Sequence, residues 1–357
     1  MLHSAPLVLP VCDDPVRDGA VVIRGDRVLQ VGVRDELLSC FPVTEERRWP
    51  GMIVAGPVDA CSAGSPPGPG VTARAGVVSD LADLPGLPGI SYIQVTSASE
   101  EEWEERERDA MITAIREVDR PYAVGIAART RNPQVLEDVA VLARTFGLRL
   151  LADLDRHSPV ELDEAGVLGP LCHVACARTL DPGDRKLLRL RKTAIALCPS
   201  ESPPVADMLS LLDEGNTVAL GSAAPSPPDR LPGPLNASGS RGGSGPRGGS
   251  GPLGAAEGPA PASGPIALAA AIRRHARALG LRPRGLDRRL VEAATLGGAR
   301  ALGMDRGAGR IGSLGPGARA DFAVFDARGR YPYAALLSEA PCVGTVVGGV
   351  ITHASPI

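Results

Sequence analysis

Strand-like and helix-like segments alternate through the middle of the chain, and this alternation restricts the fold more than any other feature of the sequence. Short runs of apolar and β-branched residues recur between residues 123 and 220, and segments with helical periodicity separate them. Parallel strands need a long crossover connection, usually a helix, whereas antiparallel strands can be joined by a tight turn. The alternation therefore predicts βα units around a parallel sheet, which is an α/β fold.

Start and stop signals mark three of the predicted helices. Ser99 is followed three residues later by Glu102, which is the pattern of a capping box. A second helix is predicted to begin after Asn132 and to end at Gly147, and a third to begin after Asp181. These signals place helices between successive strand-like runs, as a parallel sheet requires.

Both ends of the chain contain further strand-like segments. Two β-rich runs flank Gly25-Asp26, which is a hairpin turn signal, and matching apolar runs lie at residues 320–326 and 344–351. We therefore predict a small composite β-sandwich domain made of residues 1–52 and 307–357.

Residues 225–265 break the pattern. All but nine of these 41 residues are Gly, Pro, Ser or Ala, and they show no apolar periodicity. Such a segment cannot bury enough apolar surface to offset the entropy lost on ordering, so we predict a disordered linker. Helical periodicity resumes at Ile266 and continues through Arg300 with a break near Pro283.

Charge and composition exclude several classes of partner. The net charge of −3 and the pI near 6.0 give no reason to expect a nucleic acid or an anionic membrane as partner. No apolar run reaches the ~18 residues that a membrane-spanning helix needs. No secretory signal pattern is found at the N-terminus. The seven cysteines are an odd number scattered along the chain, which favours reduced thiols and a cytoplasmic protein.

The longest ordered pattern lies at residues 293–303 and 309–326. The first segment reads AATLGGARALG, and the second contains GPGARAD followed by an apolar run. These segments resemble the last barrel helix and the following strand of the amidohydrolase superfamily, in its imidazolonepropionase, aminodeoxyfutalosine deaminase and chlorohydrolase branch. Residues 125–155 and 172–200 resemble further parts of the same family, so the resemblance covers most of the chain outside the linker.

The resemblance implies a (β/α) TIM-type barrel over residues 53–306, interrupted by the linker and joined to the composite β-sandwich. Such barrels carry their active sites at the carboxyl ends of the strands. Without the linker, the barrel segment is short for a fold that typically spans ~250 residues. We therefore expect one or more βα units to be abbreviated.

Family members activate a water molecule on Zn²⁺ or Fe²⁺, which needs several neutral imidazoles and a carboxylate at the strand ends. The resemblance implies a pair of histidines at the end of the first barrel strand, but this sequence has none there. Gly56 and Val58 occupy the two positions in one register, and Cys61 and Ala63 occupy them in another.

The other positions implied by the resemblance have also changed. Ala152 stands where relatives have a histidine, and Ala223 stands where they have the aspartate that binds the metal. Asp155 lies near the position of the relatives' proton-shuttling glutamate and is the candidate catalytic residue. His173 is the only residue that matches a family metal ligand. Because a catalytic divalent ion usually has three protein ligands, we expect no metal cofactor.

Cysteine side chains offer an alternative metal site. Thiolates bind Zn²⁺, so Cys61, Cys172, Cys176 and Cys198 are alternative ligands, and His157 is a substitute for the missing histidine. Buried cysteines are more often small apolar core residues.

The sequence leaves three functions open. The leading prediction is a non-catalytic family member with an eroded metal site and a binding, regulatory or structural role. The alternative is an active hydrolase of non-peptide carbon–nitrogen bonds, acting on a cyclic amide or amine with Zn²⁺ or Fe²⁺ in a rebuilt site. The third is a structural subunit that pairs with an active paralogue. The corresponding partners are a small-molecule ligand, a second copy of the chain and the paralogue.

Overall fold

The strands of the protein form two sheets, one from both ends of the chain and one from its middle. The computed structural model describes residues 1–62, 67–78, 88–117, 124–200, 205–223 and 264–355. The predicted linker lies outside the described residues except for Gly264 and Pro265. Pro265 is already the first residue of a helix, one residue before the predicted start at Ile266.

The first sheet joins the two termini. Its strands are β1 (Leu2–Leu9), β2 (Val16–Arg24), β3 (Arg27–Val33), β4 (Glu46–Arg48), β5 (Met52–Ala55), β14 (Phe322–Phe325), β15 (Cys342–Val347) and β16 (Val350–Ala354). They are hydrogen-bonded in the order β16-β15-β14-β5-β1-β2-β3, and β4 pairs with β1. Because β5 pairs with both β1 and β14, this sheet extends past the predicted boundary at residue 52 to Ala55.

The second sheet is a barrel of eight parallel strands. They are β6 (Val58–Ser62), β7 (Ala73–Val78), β8 (Gly89–Val95), β9 (Val124–Ala128), β10 (Arg149–Asp153), β11 (Cys172–Cys176), β12 (Ala194–Leu197) and β13 (Val218–Leu220). Each strand is hydrogen-bonded to the next one in the chain. The N–H groups of Ser222 and Ala223 both donate to the carbonyl oxygen of Cys61, at 3.0 Å, and bring β13 against β6. The predicted TIM-type barrel is confirmed.

Helices connect most of the strands. They are α1 (Arg34–Cys40), α2 (Glu100–Glu102), α3 (Arg108–Glu117), α4 (Pro133–Phe146), α5 (Pro159–Glu164), α6 (Pro182–Leu190), α7 (Val205–Asp213), α8 (Pro265–Ala278), α9 (Leu286–Glu292), α10 (Gly298–Ala301) and α11 (Pro332–Leu336). π-Helical turns at Trp103–Glu107 and Ala293–Gly297 link α2 to α3 and α9 to α10. Within the described residues, no helix is long and apolar enough to span a bilayer.

The barrel is abbreviated in its connections and keeps all eight strands. Residues 63–72 connect β6 to β7, and residues 79–88 connect β7 to β8, about ten residues each. The later strands are followed by longer connections that contain helices. The small size of the barrel segment is therefore explained by its first two crossovers.

Small side chains fill the barrel interior. The buried residues of this inner layer include Ala60, Ala73, Ala75, Ala127, Ala175, Ala194, Ala196 and Ala219. Tyr92 is the largest side chain among them. Residues on the opposite strand faces, such as Ile126 and Val174, pack in the layer under the helices. A barrel filled mainly with alanine explains how the chain forms a core with an aromatic content of only 3%.

Gly297 and Gly298 of the C-terminal motif lie against the barrel wall. A Cβ atom at Gly297 would overlap the carbonyl oxygen of Val218, and one at Gly298 would overlap that of Val58. Val218 and Val58 are the first residues of β13 and β6. The two glycines therefore let this helical segment pack, backbone against backbone, on the two strands that close the barrel.

Candidate functional site at the barrel mouth

The carboxyl ends of the eight strands surround the mouth of the barrel, where barrel enzymes carry their active sites. Side chains alternate between the two faces of a strand. Ala127 and Leu151 belong to the inner layer, so Arg129 and Asp153, two residues further on, face the mouth. The N–H group of Arg129 still donates to the carbonyl oxygen of Val95 at 3.0 Å, so the strand geometry continues through Arg129.

Asp153, Arg156 and Arg129 form the charged part of the mouth. Arg156 Nε lies 3.9 Å from Asp153 Oδ2, and the N–H group of Asp155 donates to Asp153 Oδ1 at 2.8 Å. Asp153 is only 6% exposed, and this burial raises its pKa to about 6, although Arg156 and Arg129 oppose the shift. The pKa of Arg129 is lowered, first by burial and then by the guanidinium of Arg156. Two cationic groups thus surround one carboxylate.

The raised pKa of Asp153 predicts a pH dependence of stability. Its pKa rises from 3.8 in the unfolded chain to about 6 in the folded one. The folded state therefore binds the proton more tightly, and the stability from this group is present below pH 3.8 and lost as the pH rises through 6. The free energy of unfolding should therefore fall between pH 4 and pH 7. We expect Asp153→Asn to remove up to about 3 kcal/mol of this decrease.

The measurement is urea unfolding of both proteins at several pH values. Asp14→Asn is the matched control, because the Asp14 side chain is 89% exposed. This variant should leave the slope of the unfolding free energy against pH unchanged. Asp321 also has a pKa raised by burial to about 6, so part of the slope remains in the Asp153 variant. An unchanged slope in Asp153→Asn would contradict the burial of this carboxylate at the mouth.

Asp59 and Ser222 close the barrel between its first and last strands. Asp59 is buried, and its carboxylate accepts from Ser222 N–H at 2.9 Å, from the Ser222 hydroxyl at 2.5 Å and from Cys61 N–H at 3.2 Å. Burial raises the pKa of Asp59, and the bonds from Ser222 partly offset the shift. The strands β6 and β13 are thus joined through one carboxylate.

Cys61 and Cys198 contact each other in the barrel interior. Their thiols are hydrogen-bonded, and Cys198 is completely buried. Gly221, directly after β13, leaves room for Cys61, since a Cβ there would lie 2.7 Å from Cys61 Cβ. The bond to Cys61 and burial raise the pKa of Cys198 well above its usual value, which keeps the thiol protonated. None of the seven cysteines forms a disulfide.

His173, the predicted metal ligand, is a core residue. Its Nε2 lies 3.0 Å from the carbonyl oxygen of Ala60, and its Nδ1 lies 3.4 Å from the hydroxyl of Tyr92. A carbonyl oxygen can only accept, so Nε2 carries the proton and Nδ1 accepts from Tyr92. Complete burial lowers the pKa of His173 to about 3, so the imidazole is neutral. Both ring nitrogens are used inside the barrel.

Three of the predicted ligand positions lie away from the mouth. Gly56 precedes β6 and Val58 begins it, so both are at the opposite end of the barrel, and the register that uses Cys61 fits the strand end. Ala63, the second position of that register, is outside the described residues. Ala152 packs under the helices, because the alternation along β10 turns it outward. The inward carboxylate Asp153 follows it directly.

The remaining predicted residues divide between the mouth and the outer layer. Ala223 lies at the mouth and packs against the inner layer. Asp155, the predicted catalytic residue, is exposed in the turn after β10. Cys172 and Cys176 face outward from β11, so of the four predicted cysteine ligands only Cys61 and Cys198 belong to the inner layer. His157 is buried in the turn after β10, and its Nε2 has no hydrogen-bond partner.

Matching ligand positions to a family pattern missed Arg129 and Asp153. The period-two alternation of the two strands could have found both residues. Gly125 and Ala127 precede Arg129 on one strand face, and Leu151 precedes Asp153 on another. Counting by twos from small or apolar inward residues leads directly to the two charged side chains at the mouth.

Comparison with known proteins identifies the family. The sequence profile of the amidohydrolase family matches residues 154–352, more than half of the chain. The chain belongs to the amidohydrolase family. No curated protein sequence gives a significant match to it.

Solved amidohydrolase-like structures share the whole architecture. An adenosine deaminase from Xanthomonas campestris with bound zinc is 15% identical, with a TM-score of 0.71 over 99% of this chain and 92% of that one. The guanine deaminase of E. coli is 13% identical, with a TM-score of 0.71 over 100% of both chains. An atrazine chlorohydrolase from Arthrobacter aurescens, complexed with zinc, is 16% identical, with a TM-score of 0.68 over 99% and 95%. At these identities the likeness shows the fold.

Zinc in two of these structures raises the question of whether a metal ion fits this mouth. In the part of the amidohydrolase chain that the structure describes, no group of three His, Cys, Asp or Glu side chains is arranged to hold a metal ion. At the mouth, guanidinium groups flank Asp153, His173 uses both nitrogens in the core, and the Cys198 thiol stays protonated. These donors do not fit a catalytic metal ion.

Proposed function

We propose that this amidohydrolase is a non-catalytic family member that binds a small molecule at the barrel mouth. One observation carries the proposal: the inward positions at the strand ends hold Arg129 and Asp153, with Arg156 beside them. A divalent ion in this place would meet two guanidinium groups and one carboxylate. Since like charges repel strongly at short range in a partly buried site, this arrangement disfavours a metal-activated water molecule.

Other residues support the same proposal. Ala223 offers only a methyl group at the mouth, and among the described residues no three His, Cys, Asp or Glu side chains are grouped to hold a metal ion. The fold nevertheless keeps the eight parallel strands at whose carboxyl ends barrel enzymes hold their substrates. A binding protein can retain this scaffold without the chemistry. Pairing with a second copy or with an active paralogue stays a prediction.

An active hydrolase with a rebuilt zinc site is the competing proposal. The contact between Cys61 and Cys198 favours it, because two thiols lie together inside the barrel. Thiolate sulfur is a good zinc ligand once it loses its proton. A third donor near this pair would be needed, and Asp155 is exposed in its turn. We therefore rank this proposal second.

A hydrolysis assay tests the two proposals against each other. The relatives' names suggest adenosine, guanine and atrazine as test substrates, each with and without added Zn²⁺. We expect no release of ammonia or chloride above the rate in buffer. Zinc-dependent turnover that is lost in the Cys61→Ser, Cys198→Ser double variant would refute the non-catalytic proposal and establish the rebuilt site.

A further inference from the structure

Arg129 presents a guanidinium group at the barrel mouth that has no ion-pair partner among the described residues. In the described residues this group makes no hydrogen bond and no ion pair, although the residue is only partly exposed. Asp153 and Cys61 are near enough to influence its charge, and so is the cationic Arg156. Buried or half-buried charges are normally paired, because removing them from water costs free energy that only a partner restores.

Arg156 and His157 leave further polar atoms without partners in the neighbouring turn. Arg156 Nε is buried and makes no hydrogen bond, and its carboxylate neighbour Asp153 is 3.9 Å away, at the limit of an ion pair. His157 is 6% exposed, and its Nε2 has no partner. Arg156 and Arg131 both lie near the His157 ring. Three arginines therefore meet around this side of the mouth, with Asp153 as their buried carboxylate and Glu161 near the His157 ring, which is hydrogen-bonded to the Thr130 backbone.

An oxyanion would satisfy this arrangement. A guanidinium offers several N–H groups in a planar fork that matches carboxylate and phosphate oxygens. Bound between Arg129 and Arg156, an oxyanion would offset the repulsion between the two cations. It would also supply an acceptor for the Arg129 guanidinium and for Arg156 Nε. A neutral amide or aromatic ring would leave the charges uncompensated.

We propose that the barrel mouth binds a small molecule through a carboxylate or phosphate group, held by Arg129 and Arg156. This inference deepens the proposed binding function and rests on it. Arg129 makes the direct contact from the end of β9. Arg156, placed by the turn after β10, contributes the second cation.

Calorimetric titration of the full-length protein with inorganic phosphate and with succinate tests the proposal. We expect saturable binding of at least one anion. The anion that binds more tightly shows whether the site prefers phosphate or carboxylate. Arg129→Gln should weaken binding at least ~10-fold, because both the positive charge and the planar set of guanidinium N–H donors are lost. Arg129→Lys keeps the charge and should weaken binding less. Arg328→Gln is the control, since Arg328 is exposed in the terminal domain, and it should bind like the wild type.

Thermal unfolding without added anion checks that the Arg129 variants are folded. The Arg129 side chain makes no hydrogen bond within the described residues, so Arg129→Gln should unfold at a temperature no lower than the wild type. Absence of saturable binding by either anion, or equal loss in the Arg129→Gln and Arg328→Gln proteins, would overturn the proposal. The non-catalytic proposal fails on a different measurement, since zinc-dependent turnover in the hydrolysis assay would refute it. That result would not change the outcome of the anion titration.

Discussion

A chain truncated after Asp305 is expected to be insoluble. The truncation removes β14, which lies between β15 and β5 in the terminal sheet. Phe322 and Phe325 of β14 pair with Ala55 and Met52 of β5, and all four side chains are buried. Without β14, the apolar face and the hydrogen-bonding edge of β5 would both be exposed, and such edges pair with other chains and aggregate.

Centrifugation of cell lysates, followed by gel analysis of the soluble fraction, measures the effect. Co-expression of fragments 1–223 and 264–357 is the matched control, because it supplies the missing strands as a separate chain. We expect this pair to form a soluble complex, since β5 and β14 then meet as in the intact protein. A soluble, cooperatively folded 1–305 fragment would show that the N-terminal strands do not depend on the C-terminal ones.

Asp59→Ala is expected to destabilise the protein by about 3 kcal/mol. The substitution removes the acceptor of three hydrogen bonds and leaves the N–H groups of Ser222 and Cys61 without it. Each buried group that loses its partner costs about 1–3 kcal/mol. The lost hydrogen bonds lie at the junction of β6 and β13, where the barrel closes. We therefore expect these two strands to separate before the terminal sheet unfolds.

Asp59→Asn is the control for this prediction. The amide oxygen of asparagine can still accept from the N–H groups, and its NH₂ group can donate to the Ser222 hydroxyl. Because burial already raises the pKa of Asp59, removing the charge also removes an unfavourable contribution at neutral pH. We expect a loss below about 1 kcal/mol by urea unfolding. Equal losses in the two variants would mean that the hydrogen bonds do not close the barrel.

Local signals in the sequence predicted the helix ends and the hairpin well. Asn132 caps α4 by accepting from two backbone N–H groups, and Gly147 ends it in the left-handed conformation with φ at 64°. Asp181 caps α6 by accepting from the N–H group of Asp184. The Ser99 hydroxyl accepts from Glu102 N–H, while the Glu102 carboxylate accepts from the N–H of Ala98, one residue earlier than in a capping box. These interactions join residues that are close in sequence.

The mouth was harder to predict because its geometry depends on strand register. A shift of one residue turns a side chain to the other face, and this separates the outward Ala152 from the inward Asp153. Met52–Ala55, which spans the boundary predicted after residue 52, shows a related difficulty. Met52–Ala55 is apolar throughout, which suits a barrel strand, but its partners are β1 and β14. Only the tertiary pairing shows which sheet such a strand joins.

The metal content of the purified protein tests the central claim most directly. We predict that elemental analysis of protein purified without a chelator finds well under one equivalent of zinc, iron or manganese per chain. The prediction follows from the guanidinium groups beside Asp153 and from the use of both His173 nitrogens in the core. One full equivalent of metal, retained through dialysis and lost in the Cys61→Ser, Cys198→Ser double variant, would contradict the account.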